Sequence, residues 1–163
     1  FQMGIGIGDK LPDAQVIRAT ANGPEQTSIS ELTAGRKTVI FAVPGAFTPT
    51  CDSAHMPSFV RTAHDFSLKG VDEIMCLSVN DAHVMRVWGE HSGALNAGIG
   101  MIADPVAEFT KAMGMAFTAL PVGMIDRSAR YAMVVEDGTI TKMHVEEIGV
   151  CAVSTGEAML EAL

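Results

Sequence analysis

Lys37-Thr38-Val39-Ile40-Phe41-Ala42-Val43 runs directly into Pro44-Gly45-Ala46-Phe47-Thr48-Pro49-Thr50-Cys51, and this stretch decides the fold. The first seven residues form an apolar, β-branched run of strand length. Pro44 to Pro49 cannot continue that strand, because proline has no N–H for the ladder and the Pro/Gly pair favours a turn. Beyond it, His55, Met56, Phe59, Val60, Ala63 and Phe66 recur at helical spacing between Asp52 and Leu68. The turn therefore delivers Cys51 to a helix start. Free N–H groups and the positive end of the helix dipole stabilise an anion there, and cysteines so placed have lowered pKa values and act as nucleophiles. From position alone, the competing reading of Cys51 is a small, half-buried residue that opens a helix.

Working outward, strands are expected near Ala14–Thr20, Thr38–Val43, Glu73–Val79, Met101–Ala103, Arg130–Glu136 and Thr139–Val145. Helices are expected over Asp52–Leu68, Ala82–His91, Pro105–Met113 and Thr155–Leu163. Asp137-Gly138 between two alternating runs predicts a hairpin, so the last two strands should be antiparallel. The earlier strands, separated by helices, suggest parallel crossovers. Together these give an α/β class with a mixed central sheet flanked by helices.

With 163 residues, 48% of them hydrophobic, the chain suits one domain over residues 1–163, and no linker or repeat divides it. Eleven basic against nineteen acidic residues give a net charge of −8, and no basic cluster is present to attract a phosphate backbone. Nucleic-acid binding is not expected, nor is membrane insertion, since no apolar run is long enough to span a bilayer. Phe1-Gln2 before Met3 reads as an expression scar, and Met3 to Gly8 is too short and uncharged for a signal peptide. A cytoplasmic location is the expectation, or an organelle after removal of a presequence. Gly4-x-Gly6-x-Gly8 lacks the spacing of a dinucleotide fingerprint and reads as flexible entry. The three cysteines, 51, 76 and 151, are too widely spaced for a zinc site or a Cys-x-x-Cys exchanger. Neither a metal nor an organic cofactor is expected.

The pattern Pro44-x-x-x-Thr48-x-x-Cys51 resembles the active-site motif of the peroxiredoxins, and the local wording through His55-Met56-Pro57-Ser58-Phe59-Val60 is similar to the peroxiredoxin 5 (plant type II) subfamily. Further matches are Gly8-Asp9-Lys10-Leu11-Pro12, Ser78-Val79-Asn80-Asp81, Val84-Met85, Trp88-Gly89, Ala103-Asp104, Glu108-Phe109-Thr110-Lys111 and Arg127-Ser128-x-Arg130-Tyr131-Ala132-Met133. The resemblance covers essentially the whole chain and implies a thioredoxin-like fold. It also implies a thiol-dependent peroxidase that reduces hydrogen peroxide and alkyl hydroperoxides through a cysteine sulfenic acid. The alternatives are a general thiol–disulfide oxidoreductase and a non-enzymatic redox sensor or chaperone.

On this resemblance Cys51 is the nucleophile and Thr48 offers a hydroxyl to thiolate or peroxide, its competing role being a helix cap. Pro44 shapes a dry wall over the sulfur. The family arginine precedes the aromatic residue of the penultimate strand, which maps it onto Arg130 before Tyr131, leaving Arg127 as a neighbouring charge. Arg18, Arg36, Arg61 and Arg86 read as solvated. His55, on the same helix face as Cys51, is read as packed or solvated rather than as a catalytic base. Family members dimerise through loops near the active site, so Phe47, Phe117 and Leu120 are expected to line a homodimer interface and the mouth of the peroxide pocket. Cys76 matches the second-cysteine spacing of plant type II members, and Cys151 falls in the loop where animal peroxiredoxin 5 carries its resolving cysteine. Cys76 sits in an apolar strand and Cys151 is offset by one residue, so glutathione, glutaredoxin or thioredoxin is expected to resolve the sulfenic acid from outside.

Overall fold

The structure, a computed structural model, describes residues 5–163, so the reading of Phe1-Gln2 as a scar lies outside the described residues. Seven strands form one sheet: β1 (Gln15–Thr20), β2 (Gly23–Ser28), β3 (Lys37–Val43), β4 (Glu73–Ser78), β5 (Gly100–Ala103), β8 (Tyr131–Glu136) and β9 (Thr139–Val145), in the order β2-β1-β5-β4-β3-β8-β9. The other two, β6 (Ala116–Ala119) and β7 (Met124–Ser128), make a separate antiparallel hairpin. Five α-helices accompany them: α1 (Ile29–Thr33), α2 (Met56–Leu68), α3 (Ala82–His91), α4 (Glu108–Ala112) and α5 (Gly156–Ala162).

Strand β3 lies in the middle of the sheet, and its continuous apolar run serves two cores. Val39, Phe41 and Val43 face the layer that holds Phe59, Trp88 and Met159. Ile40 and Ala42, pointing the other way, pack with Leu32, Phe109, Tyr131 and Met133. Strands β3, β4 and β5 are parallel, and β8 and β9 form the hairpin predicted at Asp137-Gly138. The extrapolation to parallel crossovers for all the earlier strands fails at β1, which pairs antiparallel with β5 through Ile17–Ala103 and Ala19–Met101. The unforeseen strand β2 explains the reversal, since it returns directly along β1 as an edge hairpin. Its sequence, Gly23-Pro-Glu-Gln-Thr-Ser, is too polar to show a strand period, and Pro24 is tolerated there because an edge strand has N–H groups that need no partner.

Two other expectations change. The helix expected over Pro105–Met113 shrinks to α4, because Asp104 accepts from the Phe109 and Thr110 amides and Ala107 adopts a left-handed conformation just before it. Arg18 and Arg36 are not free in solvent but converge on Glu73, at 2.6 and 2.8 Å. Arg61 and Arg86 pair at the surface with Glu157 and Glu90. No helix among the described residues is long and apolar enough to cross a membrane.

Candidate active site

The turn after β3 is held from three directions. Asn80 Oδ1 accepts from the Ala46 amide, Arg127 Nη1 donates to the Pro44 carbonyl at 3.2 Å, and the Thr48 hydroxyl donates to the Gly45 carbonyl at 2.8 Å. Gly45 suits this crowding, since a Cβ there would meet Arg127 Nη1 at 2.7 Å. Phe47 takes a left-handed conformation, φ 64°, as the chain bends into the helix. Its ring lies against Trp88 and His91 rather than in the cleft described below.

From Cys51 to His55 the chain forms a π-helical turn, closed by the Met56 N–H donating to the Cys51 carbonyl, before continuing as α2. Pro57 gives a physical reason: it lacks the N–H that would bond Ser53, and its ring crowds that carbonyl, so the ladder slips by one residue. Cys51 thus stands in the first helical turn, as expected, but in a wider one. Its own amide has no hydrogen-bond partner among the described residues, the usual state of a first-turn donor. Trp88 Nε1 donates to Asp52 Oδ1 at 2.8 Å and ties the turn to α3.

Cys51 is fully buried, and Arg130 Nη2 donates to its Sγ at 3.1 Å. Arg130 immediately precedes β8, and the pairing of Tyr131 with Ala42 brings it level with the end of β3. Its Nη1 donates to His55 Nδ1 at 2.9 Å, while His55 Nε2 meets the Ser154 carbonyl at 2.8 Å. A guanidinium has only donors, so Nδ1 must be the acceptor and Nε2 must carry the proton. Burial, reinforced by the Arg130 charge, pushes His55 down to about 3, which keeps the ring neutral at physiological pH. His55 is therefore packed and fully hydrogen-bonded, with no free lone pair to act as a base.

Beyond His55, the Ser154 hydroxyl donates to Glu146 Oε2 at 2.7 Å, and the same oxygen accepts from the Ala152 and Ser154 amides at 2.6 and 2.8 Å. Glu146 and Ser154 were not singled out from the sequence. Glu146 follows the last β9 residue and looks like an ordinary surface acid, and only its burial at 5% exposure marks it out.

A cleft of about 300 Å³ opens beside this cluster, lined by Pro44, Thr48, Arg130 and Glu146 together with the apolar side chains of Phe117, Val122 and Met124. Phe117 comes from the β6–β7 hairpin, and Leu120, between those strands, is exposed at 69% without lining the cleft. Cys76 is fully buried on β4, where loss of solvent holds its thiol well above the usual range. Cys151 is half-buried in the loop after β9, and burial raises its pKa too. All three cysteines are free thiols.

With a buried cysteine under an arginine at the end of a Pro-x-x-x-Thr-x-x-Cys turn, comparison with known proteins is direct. Residues 7–160 match the redoxin family model. Peroxiredoxin-2E-2 of Oryza sativa subsp. japonica, a chloroplastic protein, is 47% identical over 98% of this chain and 72% of its own. Peroxiredoxin-2B of Arabidopsis thaliana is 39% identical over 98% of both chains. Among solved structures, reduced Prx3 of Vibrio vulnificus in complex with hydrogen peroxide superposes with a TM-score of 0.89 at 45% identity, covering 97% of this chain and 98% of the other. The mixed sheet with its flanking helices is thus the thioredoxin-like fold, and the chain belongs to the redoxin family as a peroxiredoxin, a thiol-dependent peroxidase of the peroxiredoxin 5 (plant type II) kind.

Proposed function

We propose that Cys51 is the peroxidatic nucleophile for hydrogen peroxide and small alkyl hydroperoxides, with Thr48, Pro44 and Arg130 forming the rest of the site. The observation that carries this reading is the Arg130 Nη2 donation to Cys51 Sγ, since Arg130 also lines the adjoining cleft with Pro44 and Thr48. The thiolate attacks one peroxide oxygen: an S–O bond forms, the O–O bond breaks, and the departing alkoxide or hydroxide takes a proton. Cysteine is oxidised to sulfenic acid while the peroxide is reduced to alcohol or water. Arg130 offers fixed positive charge to thiolate and leaving oxyanion alike. Thr48, whose hydroxyl donates to Gly45 and so presents its lone pairs outward, would accept from the peroxide O–H. The apolar wall of Phe117, Val122 and Met124 suits an alkyl substituent.

An external thiol restores the enzyme. It attacks the sulfenic sulfur to give a mixed disulfide and water, and a second thiol then releases Cys51 as its own disulfide forms. Glutathione, alone or with glutaredoxin, fits this role better than an internal bridge, because Cys76 is sealed in the core and both other thiols are held protonated by burial. Such chemistry needs a reducing compartment, for which the cytoplasm is our reading. A homodimer would cover the exposed Leu120, Val122 and Ile148 around the cleft mouth.

Cys51→Ser should abolish peroxide turnover while leaving the circular dichroism spectrum unchanged, and near wild-type turnover would remove the mechanism. Intact mass after one equivalent of peroxide should show one added oxygen, replaced by a glutathione adduct when that thiol is supplied. A stoichiometric Cys51–Cys76 or Cys51–Cys151 bridge in peptide maps would make resolution internal instead. Failure to reduce insulin disulfides separates this enzyme from a general thiol–disulfide oxidoreductase, and multiple turnovers separate it from a sensor.

A further inference from the structure

We infer that Glu146 is a positioning residue for Arg130: its buried carboxylate clamps the loop 147–153 and, through Ser154 and His55, sets the aim of the guanidinium at Cys51. The inference rests on the reading of Cys51 as nucleophile and goes beyond it by adding a residue that borders the cleft and makes no hydrogen bond to the sulfur, acting instead through Arg130.

The direction of every hydrogen bond in the chain follows from one end. Arg130 can only donate, so His55 accepts at Nδ1 and donates at Nε2. That proton lies between the Ser154 carbonyl at 2.8 Å and the Ser154 hydroxyl oxygen at 3.3 Å. The Ser154 hydroxyl, serving there as acceptor, has its own proton free for Glu146 Oε2 at 2.7 Å. A donor-only cation thus stands at one end and an acceptor-only anion at the other, and no link can be reversed. Chains of this kind polarise their members and hold them in one arrangement.

Glu146 is also the anchor of the loop. Its Oε2 gathers the Ala152 and Ser154 amides, so the segment that carries Cys151 is closed on a buried carboxylate, and the Glu146 amide itself donates to the Arg130 carbonyl at 3.0 Å. Among the described residues neither Glu146 nor Arg130 has an ion-pair partner, although both are nearly buried. Arg130 is held by Cys51 and His55, and Glu146 by the two loop amides and the Ser154 hydroxyl, so the relay links two buried charged groups that do not pair directly.

The sign of the effect distinguishes positioning from simple charge. As a bare negative charge, Glu146 would oppose the thiolate, and Glu146→Gln would move the pH midpoint of Cys51 alkylation downward. As a positioning residue, its loss lets Arg130 drift from Sγ and moves the midpoint upward. The other titratable groups around the sulfur are Arg130, His55, Cys76 and Cys151, of which the two thiols are held protonated by burial.

The test is iodoacetamide alkylation of Cys51 against pH, in a Cys76→Ser/Cys151→Ser background, together with steady-state peroxide reduction. Glu146→Gln should raise the alkylation midpoint and lower kcat/KM for hydrogen peroxide about tenfold, within the range seen when a residue coupled to a site through a hydrogen-bond network is altered. Ser154→Ala, which keeps the loop amides on Glu146 and removes only the hydroxyl link, should shift the midpoint in the same direction by less. It also decides the matter should Glu146→Gln fail to fold. In a His55→Phe background, which breaks the relay, Glu146→Gln should add nothing further. A midpoint that falls or stays put in both single variants, or a full additional effect in the His55→Phe background, overturns the inference. Because Cys51→Ser tests the nucleophile separately, an inactive Cys51→Ser with a wild-type-like Glu146→Gln would leave the mechanism standing and remove only the relay.

Discussion

Arg130 spends its two terminal nitrogens on different partners, Nη2 on the sulfur and Nη1 on His55, a fork that the single ammonium of lysine could not reproduce in the same plane. Arg130→Met should therefore shift Cys51 alkylation to higher pH and slow peroxide attack more than Arg127→Met. Among the described residues the Arg127 guanidinium donates to the Pro44 carbonyl alone, packs over Gly45 and acts on the shape of the turn. The two variants compared by alkylation against pH check this, and a larger effect from Arg127 would exchange the assignments. Thr48→Val keeps the shape and removes the hydroxyl. If that hydroxyl orients the peroxide, its loss should cost ~3 kcal/mol in the transition state, roughly a hundredfold in the second-order rate, measured by stopped-flow fluorescence of Trp88. An unchanged rate would leave Thr48 with only its bond to Gly45.

Helix α5 completes the site from outside by packing on α2, and Gly156 is where the two approach. A Cβ at Gly156 would run into the Ser58 carbonyl and the Thr62 hydroxyl, while the Gly156 amide donates to Ser58 Oγ at 2.8 Å. Gly156→Ala should thus push α5 off α2 and cost about 1–3 kcal/mol, the usual penalty of overpacking, seen as a lowered urea midpoint. Ser154 lies two residues earlier, so the same change should also weaken peroxide turnover. Retained stability would mean that α5 shifts freely. The π-helical turn at Cys51–His55 was open to reading in principle, because Pro57 sits one turn into an otherwise regular helical pattern. The β6–β7 hairpin was not: Ala116-Phe-Thr-Ala and Met124-Ile-Asp-Arg-Ser are too short and mixed to show alternation around Leu120-Pro121.

The molecule as a whole inherits a pH dependence from His55. The ring is pushed down to about 3 when folded, against an ordinary value of about 6.5, so below that value the unfolded chain binds a proton that the folded one refuses. His55 thus favours the fold fully above pH ~6.5, and that contribution is lost as pH falls toward 3, at up to about 1.4 kcal/mol per pH unit. His55→Phe should flatten this part of the stability curve in urea titrations at pH 4–7, and an equal slope in both proteins would refute the assignment. What was legible in the sequence was local: the strand Lys37–Val43, the turn that ends it, the helical spacing after Cys51 and the Asp137-Gly138 hairpin each depend on neighbours a few residues apart. Arg130 was reachable only through the resemblance. Tertiary structure alone decided that His55, Ser154 and Glu146 join Arg130 behind the sulfur, because residues 51, 55, 130, 146 and 154 meet only once β8 pairs antiparallel with β3 and the chain after β9 folds back over α2. No local period records such a meeting, and a glutamate's burial follows from what finally packs around it rather than from its neighbours in the chain.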